Sequence, residues 1–252
     1  MKVYFVGAGP GDPELLTRKA ERMLRACRFC IYAGSLVSPE VLALLPAHAE
    51  KHDSAKLNLQ ETTALCVSAR DRKTDVIRLH SGDPSIYGAT REQMDALDAA
   101  GIAYEVIPGV SSFQAAAAAL RTELTAPEIA QTIILSRVAD RTPVPPEQQL
   151  QKLAQTHATL CLFLSVHKIK EICTTLAAEY GADCPAAVVY RVSWPDQHVI
   201  NGTLTDIAAK VAAENIQKTA LIIVGRALAR GLPVSKLYDG GFTHGCREGT
   251  AE

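Results

Sequence analysis

The chain has 252 residues, of which 48% are hydrophobic and 21% are charged, as expected for a globular protein of one large or two compact α/β domains and not for a disordered chain. A formal net charge of −1 gives no field that would attract nucleic acid or an acidic membrane. The longest apolar runs are too short to span a bilayer, and no signal peptide precedes the first strand pattern. We therefore expect a cytoplasmic protein with neither a nucleic-acid nor a membrane partner.

The first half of the chain alternates between apolar strand patterns and helical patterns. Strands are predicted at residues 2–6, 28–32, 74–80 and 104–107, and helices at residues 14–26, 39–45, 58–70, 90–99 and 113–120. This alternation predicts a parallel sheet with crossover helices, and we place residues 74–80 at its centre. Ser38 is the predicted N-cap before Pro39, and Asn58 with Glu61 forms a capping box.

The alternation breaks near residues 121–130, where we place the domain boundary. Residues 1–121 then form an N-terminal α/β domain, and residues 122–252 form a C-terminal α/β domain. In the second half, strands are predicted at residues 131–136, 158–164, 186–191, 198–202 and 220–225, and helices at residues 148–155, 166–178 and 205–214. The connection after residue 191 is too short for a crossover, so this second sheet should be mixed, with antiparallel pairing.

The cysteines and histidines predict neither a disulfide framework nor a metal site. Seven cysteines, an odd number spread along the chain, favour reduced thiols. Cys27 and Cys30 have C-x-x-C spacing, but Cys27 ends a helical pattern, whereas a redox motif begins a helix with its first cysteine. His48 and His52 are four residues apart and lack further ligands. We predict no protein-bound metal.

Loops rich in Gly, Pro and Ser follow several predicted strands, at the sheet edge where open α/β folds bind small molecules. In the segment SGDPSIYG at residues 81–88, Gly82 allows a ligand to approach the backbone. Asp83 either caps the turn or accepts a hydrogen bond from the ligand, and we favour the second role. Ser111 or Ser112 caps the helix after residues 104–107, and the free amides of that helix are a second potential contact.

The loop GAGPGDP at residues 7–13 is a weak nucleotide signature. Its glycines are spaced G-x-G-x-G, Pro10 removes an amide that a pyrophosphate would use, and the acidic ribose partner expected about twenty residues later is absent. Ser165 and Lys168 have the S-x-x-K spacing of a serine nucleophile without its companion motifs. With no activated nucleophile and no carboxylate pair, the loops suit a cofactor that carries its own reactivity.

Several segments resemble the tetrapyrrole methylase family. They are GPGDPELLT (9–17), YAGSLV (32–37), SGDPSIYG (81–88), PGVSSFQA (108–115), VVYRVSWPD (188–196) and TALIIVG (219–225). Because these segments run from the first loop almost to the end of the chain, the resemblance covers nearly all of it. YAGSLV and SIYG are similar to the branch of the family that methylates carbon 11 of a corrin precursor. The uroporphyrinogen methylases of the same family are the nearest competitor.

The resemblance implies two α/β domains with S-adenosylmethionine in the cleft between them, a tetrapyrrole substrate and a homodimer. It implies these cofactor contacts: Pro10, Ser81, Gly82, Asp83, Ile86, Ser111, Ser112, Leu164, Tyr190, Arg191, Val192 and Ala220. For the substrate it implies Asp12, Tyr32, Gly34 and Ser35, because the first glycine loop borders the tetrapyrrole trough. Arg91, Arg121 and Arg137 are candidates for binding substrate carboxylates, and each is also explained as a surface charge.

The implied reaction is a direct displacement at the sulfonium methyl by a nucleophilic ring carbon. The protein would align carbon, methyl and sulfur and exclude water; the resemblance identifies no general base. Three alternatives stay open. One is a methylase of the same fold acting on an earlier intermediate or on the residue modified in diphthamide synthesis. The others are a nucleotide-dependent oxidoreductase and a binding protein without activity.

Overall fold

A computed structural model describes residues 1–250. The contacts within the chain divide it into two compact units. The first unit contains Met1–Ala115 and, from much later in the chain, Arg191–Gln197. The second contains Ala116–Tyr190 and the chain from His198 onward. The predicted boundary after residue 121 did not anticipate that the segment 191–197 packs with the first unit.

The first unit is built on a five-stranded parallel sheet. Its strands are β1 (Val3–Gly7), β2 (Phe29–Tyr32), β3 (Glu50–Asp53), β4 (Val76–His80) and β5 (Tyr104–Ile107), in the order β3-β2-β4-β1-β5. Its helices are α1 (Arg18–Arg25), α2 (Pro39–Leu42), α3 (Leu59–Asp71), α4 (Arg91–Ala99) and the start of α5 (Ser112–Leu120). The prediction of β4 as the central strand is confirmed.

Successive side chains of β4 face opposite sides of the sheet, and each side carries its own core. Ile77 and Leu79 pack in the cluster that includes Leu24 of α1 and Val41 of α2. On the other side, Val76 packs with residues of α3 and α4. The sheet is therefore buried on both faces, as is usual for parallel sheets. The loops at the carboxyl ends of its strands are left uncovered by these helices.

Two predicted helix starts are confirmed at atomic detail. The Ser38 hydroxyl accepts a hydrogen bond from Val41 N at 3.2 Å. Asn58 Oδ1 accepts from Glu61 N at 2.9 Å, and the Glu61 carboxylate accepts from Asn58 N at 2.8 Å, which completes the capping box. These local signals fix where α2 and α3 begin.

The helix predicted at residues 14–26 is wrong in extent, because the chain makes a short 3₁₀ turn at Pro13–Leu15 and starts α1 only at Arg18. Asp12 caps the turn and Thr17 caps α1, so each of the two elements has its own N-cap.

The second unit contains a mixed five-stranded sheet. Its strands are β6 (Ile133–Ser136), β7 (Thr159–Leu162), β8 (Pro185–Tyr190), β9 (His198–Thr203) and β10 (Ala220–Val224), in the order β6-β7-β10-β8-β9. Only the pairing of β6 with β7 is parallel; the predicted antiparallel pairing of β8 with β9 is confirmed. The helices α6 (Leu150–Ala154), α7 (Ile169–Tyr180) and α8 (Ile207–Ala213) pack on one face in a single apolar cluster.

Candidate functional site

Three loops of the first unit meet at the carboxyl ends of β1, β4 and β5, where glycines let their backbones touch. A Cβ on Gly7 would lie 2.6 Å from Gly109 Cα and 2.7 Å from Gly82 O, a spacing that no side chain tolerates. Gly82 N donates to Gly9 O at 2.7 Å, and Gly9 N donates to Gly82 O at 3.2 Å. The glycines of the predicted ligand loops therefore serve first to pack the loops against one another.

Asp83 joins the second loop to the third through both of its carboxylate oxygens. Oδ1 accepts from the backbone N of Ser85 at 2.8 Å and from its hydroxyl at 2.5 Å, while Oδ2 accepts from Gly109 N at 2.9 Å. Partial burial alone would raise the pKa of this carboxyl, but these hydrogen bonds outweigh it, so the pKa lies below its ordinary value. This geometry gives Asp83 a loop-joining role in addition to the ligand role expected from sequence.

The remaining predicted contacts of the first unit lie at the same edge. The Cβ position at Gly82 is 3.6 Å from Ser111 Cα and 3.9 Å from both Ser111 Oγ and Ser112 N. Ser111 directly precedes α5 and donates its backbone N–H to Gln114 Oε1 at 3.0 Å. Ile86 is half-buried in the same loop as Asp83. Hydroxyl and backbone groups therefore converge here from two loops distant in sequence.

The first glycine loop is held from outside by three side chains that sequence reasoning did not assign to the site. Trp194 Nε1 donates to Pro10 O at 2.9 Å, Ser38 Oγ donates to Gly11 O at 2.5 Å, and Asp12 N donates to Ser193 Oγ at 3.0 Å. Pro10 itself, a predicted cofactor contact, is half-buried. No local pattern predicts these bonds, because Ser38 lies 27 residues from Gly11, and Ser193 and Trp194 lie more than 180 residues from their partners.

The predicted substrate residues at the end of β2 and in the loop after it lie at the same edge of the sheet. Gly34 adopts a positive φ of 54°, and a Cβ there would lie 2.8 Å from the Cβ of Ala55, so glycine is required. Tyr32 is half-buried, and its carbonyl accepts from Ser54 Oγ at 2.9 Å. Ser35 is exposed.

In the second unit, three predicted contacts lie together at one end of its sheet. Ala220 at the start of β10 pairs with Tyr190 at the end of β8. Leu164 follows β7, which borders β10 on its other side. Leu164 has a positive φ of 55° and a side chain that is 65% exposed. An exposed Leu in a strained conformation is uncommon, and such strain concentrates at ligand sites.

Arg191 and Val192 belong to the segment that packs with the first unit. Arg191 has a positive φ of 42°, forms an ion pair with Asp196, and stacks its guanidinium 4.1 Å from the centroid of the Trp194 ring. Val192 is buried. The predicted contact Arg191 therefore also braces the tryptophan that holds the first glycine loop.

His80 is the last residue of β4 and lies next to the candidate site, but it is not placed to act as a general base there. The side chain is 3% exposed, and Nε2 has no hydrogen-bond partner. Burial, and to a smaller degree the nearby charge of Arg78, lowers the pKa of the imidazole from 6.5 to about 3. His80 is therefore a neutral ring packed near Phe5, with ring centroids 5.8 Å apart.

We expect the acid stability of the protein to depend on His80. Below about pH 6.5 the unfolded chain binds a proton at this position, whereas the folded protein resists protonation down to about pH 3. The free energy of unfolding should fall as pH drops through that window, and the slope should be smaller in His80→Leu. Urea unfolding at pH 7 and at pH 5 measures both slopes. Equal slopes in the two proteins would contradict the buried neutral imidazole.

Within residues 1–250, no group of three or more His, Cys, Asp or Glu side chains is placed to hold a metal ion. None of the helices in that range is long and apolar enough to cross a membrane.

Ser165 is fully buried and holds a loop, since its hydroxyl accepts from Val138 N at 3.0 Å and donates to Phe163 O at 2.6 Å. The S-x-x-K spacing thus has a structural explanation.

The chain matches a known protein family over most of its length. The sequence model of the Tetrapyrrole (Corrin/Porphyrin) Methylases matches residues 2–208. A precorrin-4 C(11)-methyltransferase from Pseudomonas aeruginosa is 49% identical over 252 residues, which cover 99% of this chain and 100% of that protein. A cobalt-precorrin-4 C(11)-methyltransferase from Methanocaldococcus jannaschii is 47% identical over 249 residues, 98% of this chain and 96% of that protein.

Solved structures give the same picture of the fold. The crystal structure of a cobalt precorrin-4 methyltransferase superposes with a TM-score of 0.88 at 39% sequence identity and covers 90% of this chain and 96% of that one. A uroporphyrin-III C-methyltransferase from Thermus thermophilus, solved in complex with S-adenosyl homocysteine, gives a TM-score of 0.74 at 30% identity and covers 90% of this chain and 99% of that one.

Proposed function

The chain belongs to the family of tetrapyrrole (corrin/porphyrin) methylases, and from that premise we propose that it methylates carbon 11 of precorrin-4 or cobalt-precorrin-4 with S-adenosylmethionine as methyl donor. The observation that carries this function is similarity along essentially the whole chain to methyltransferases of that specificity. The reaction belongs to cobalamin biosynthesis. A uroporphyrinogen methylase is the alternative, and the lower similarity to the solved uroporphyrin-III enzyme does not favour it.

The residues at the loop edge fit the cofactor. S-adenosylmethionine has a nucleoside and an amino-acid portion but no phosphate, so it needs hydroxyl and backbone partners and no phosphate cradle. Ser111 Oγ and Ser112 N lie beside Gly82, where the missing side chain allows close approach. Ser81 and Ser112 carry further hydroxyl groups at the same loops. The first glycine loop, with its proline and its inward hydrogen bonds, is not a pyrophosphate site.

When bound, the cofactor supplies an electrophilic methyl group on a positively charged sulfur. The protein contributes by positioning the reactants. Holding two reacting atoms in line lowers the activation free energy, because the entropy of bringing them together is lost on binding and not in the reaction step. The joined loops of the first unit provide rigid attachment points, since Asp83 fixes the second loop to the third. Asp12, whose backbone N–H is held by Ser193, lies on the loop assigned to the substrate.

The individual contacts are part of the proposal. In the first unit the cofactor contacts are Pro10, Ser81, Gly82, Asp83, Ile86, Ser111, Ser112, Arg191 and Val192. Tyr190, Leu164 and Ala220 form the corresponding cluster at one end of the sheet of the second unit. Asp12, Tyr32, Gly34 and Ser35 are the substrate contacts.

Equilibrium binding separates this function from the other classes. We expect calorimetric titration to show binding of S-adenosylhomocysteine and no binding of NADH. Binding of NADH alone would favour an oxidoreductase, and binding of neither would remove the methyltransferase assignment. With cofactor binding established, parallel assays with metal-free precorrin-4 and cobalt-precorrin-4 identify the form of the substrate, and uroporphyrinogen III serves as the control for the alternative.

The active protein is a cytoplasmic homodimer. In the second unit, β6 is an edge strand without a charged residue, and its Ile133 is 36% exposed; an apolar edge of this kind is normally covered. In the first unit the edge strand β5 is protected differently, because its Glu105 pairs with Lys2 and Lys19. Sedimentation equilibrium at micromolar concentration tests the assembly, and a mass of one chain would exclude the dimer.

A further inference from the structure

The chain contains a single tryptophan, and the structure seats it against the first glycine loop. Trp194 is 8% exposed. Its indole lies so close to Gly11 that a Cβ on that glycine would overlap the five-membered ring and come within 3.0 Å of Trp194 Cγ. The glycine at position 11 therefore leaves room for the indole, a contact that the spacing of the loop glycines does not reveal.

The hydrogen bonds of the loop also show that side chains from elsewhere in the unit hold it in place. Three successive residues of the loop, Pro10, Gly11 and Asp12, each have one backbone polar group bonded to a side chain from elsewhere in the unit. Two of those three side chains, Ser193 and Trp194, come from the segment 191–197. The segment thus determines the path of the loop just where the proposed cofactor and substrate contacts lie.

The segment itself is held in a strained shape. Arg191 and Ser193 both have positive φ angles, 42° and 64°, and residues other than glycine adopt these only when their surroundings enforce them. Ser193 N donates to Gln197 Oε1 at 2.7 Å, and Arg191 both pairs with Asp196 and stacks on the indole. The first contact and the ion pair fix the backbone on either side of Trp194, and the stacked guanidinium of Arg191 covers one face of the indole.

We propose that Trp194 is a positioning residue for methyl transfer: through its contacts with Pro10 and Gly11 it fixes the first glycine loop in the conformation that meets the reactants. The inference rests on the proposed function, since it assigns the loop to a methyl-transfer site. Because the contacts of Trp194 are with Pro10 and Gly11 of the loop, its expected effect is on the geometry of the loop. A small displacement of such a loop lowers the rate by about tenfold to a hundredfold without abolishing the fold.

The test compares Trp194→Phe with Tyr180→Phe. Both substitutions remove one donor to a backbone carbonyl from a buried aromatic side chain, since Tyr180 Oη donates to Ala158 O at 2.5 Å in the core of the second unit. Tyr180 belongs to none of the proposed contacts. We expect a lower melting temperature in both variants, with the larger loss in Trp194→Phe, because that change also removes buried ring volume and part of the surface on which Arg191 stacks. Only Trp194→Phe should lower kcat for precorrin-4, by about tenfold or more.

Amide hydrogen exchange of residues 7–16 provides a readout that needs no substrate. It should accelerate in Trp194→Phe and stay unchanged in Tyr180→Phe. Unchanged exchange in Trp194→Phe, or an equal loss of kcat in both variants, would overturn the proposal. A wild-type protein that transfers no methyl group would instead refute the proposed function, and exchange would still decide whether Trp194 holds the loop.

Should Trp194→Phe fail to fold, the single tryptophan offers a milder change. Expression in a tryptophan auxotroph supplied with the benzothiophene analogue of tryptophan would change this residue alone. The analogue keeps the bicyclic ring but has sulfur in place of the N–H that donates to Pro10 O. We expect faster exchange of residues 7–16 and a lower kcat than in the protein with natural tryptophan. Unchanged exchange and unchanged kcat in the labelled protein would likewise overturn the role of this hydrogen bond.

Discussion

Gly109→Ala should destabilise the first unit by about 3 kcal/mol or more and lower affinity for S-adenosylhomocysteine by at least about tenfold. A Cβ at this position would lie 2.9 Å from Gly7 Cα and closer still to Gly82 O. Both neighbours are backbone atoms, so no side chain can rotate away, and the three loops must separate to admit one methyl group. Thermal unfolding and calorimetric titration of the variant measure the two effects.

Gly101→Ala is the matched control. Gly101 lies in the turn between α4 and β5 with a positive φ of 65°, and no atom would lie within 4 Å of an added Cβ. This variant carries only the conformational cost, about 1–2 kcal/mol, and should bind S-adenosylhomocysteine normally. Normal binding in Gly109→Ala as well would contradict the role of the glycine-packed loops in holding the cofactor.

Asp83→Asn should lower both stability and cofactor affinity. The carboxylate accepts hydrogen bonds on both oxygens, whereas the Asn amide can accept on only one of its two atoms and would turn an NH₂ towards either Ser85 or Gly109. Losing a charge-assisted bond in this way costs about 1.5–3 kcal/mol. Because the loop itself is disturbed, the melting temperature should fall together with the affinity for S-adenosylhomocysteine.

The contribution of Asp83 to the free energy of unfolding depends on pH. The pKa of Asp83 is lower in the folded protein than its value of about 3.9 in an unfolded chain. Its contribution to stability is therefore complete above about pH 4 and is lost as pH falls through the lowered pKa. Asp83→Asn should not show that loss. Asp206→Asn is the control, because half-buried Asp206 also accepts from a backbone N–H, that of Thr203, but lies in the second unit. It should leave cofactor affinity unchanged.

The parts of the fold that the sequence predicted correctly depend on short-range patterns. The apolar run of β4 and the capping box at Asn58 and Glu61 each determine their own element, whatever surrounds them. Strand β3, by contrast, was missed. It is the edge strand Glu50–Asp53, whose residues are all charged or histidine, so it has none of the apolar alternation by which strands are recognised.

The candidate site was predictable only in part, for the same reason. The loops at Gly82 and Ser111 carry local signatures, and their common location follows from the rule that parallel strands end at one edge. Trp194 gives no such signal. It bonds to Pro10 only because residues 191–197, which connect β8 to β9, pack with the first unit. The double use of Asp83, which joins loops that are 26 residues apart, likewise depends on tertiary contacts.

Transfer of a ¹³C-labelled methyl group would show which ring carbon the protein methylates. The purified protein would be incubated with precorrin-4, or with its cobalt form, and S-adenosylmethionine labelled at the methyl carbon, and the product examined by ¹³C NMR. We predict one enriched methyl resonance, from a methyl group bonded to carbon 11, which becomes quaternary. S-adenosylhomocysteine should form in equal amount. A labelled methyl group on another ring carbon, or transfer to uroporphyrinogen III and not to either form of precorrin-4, would refute methylation at carbon 11.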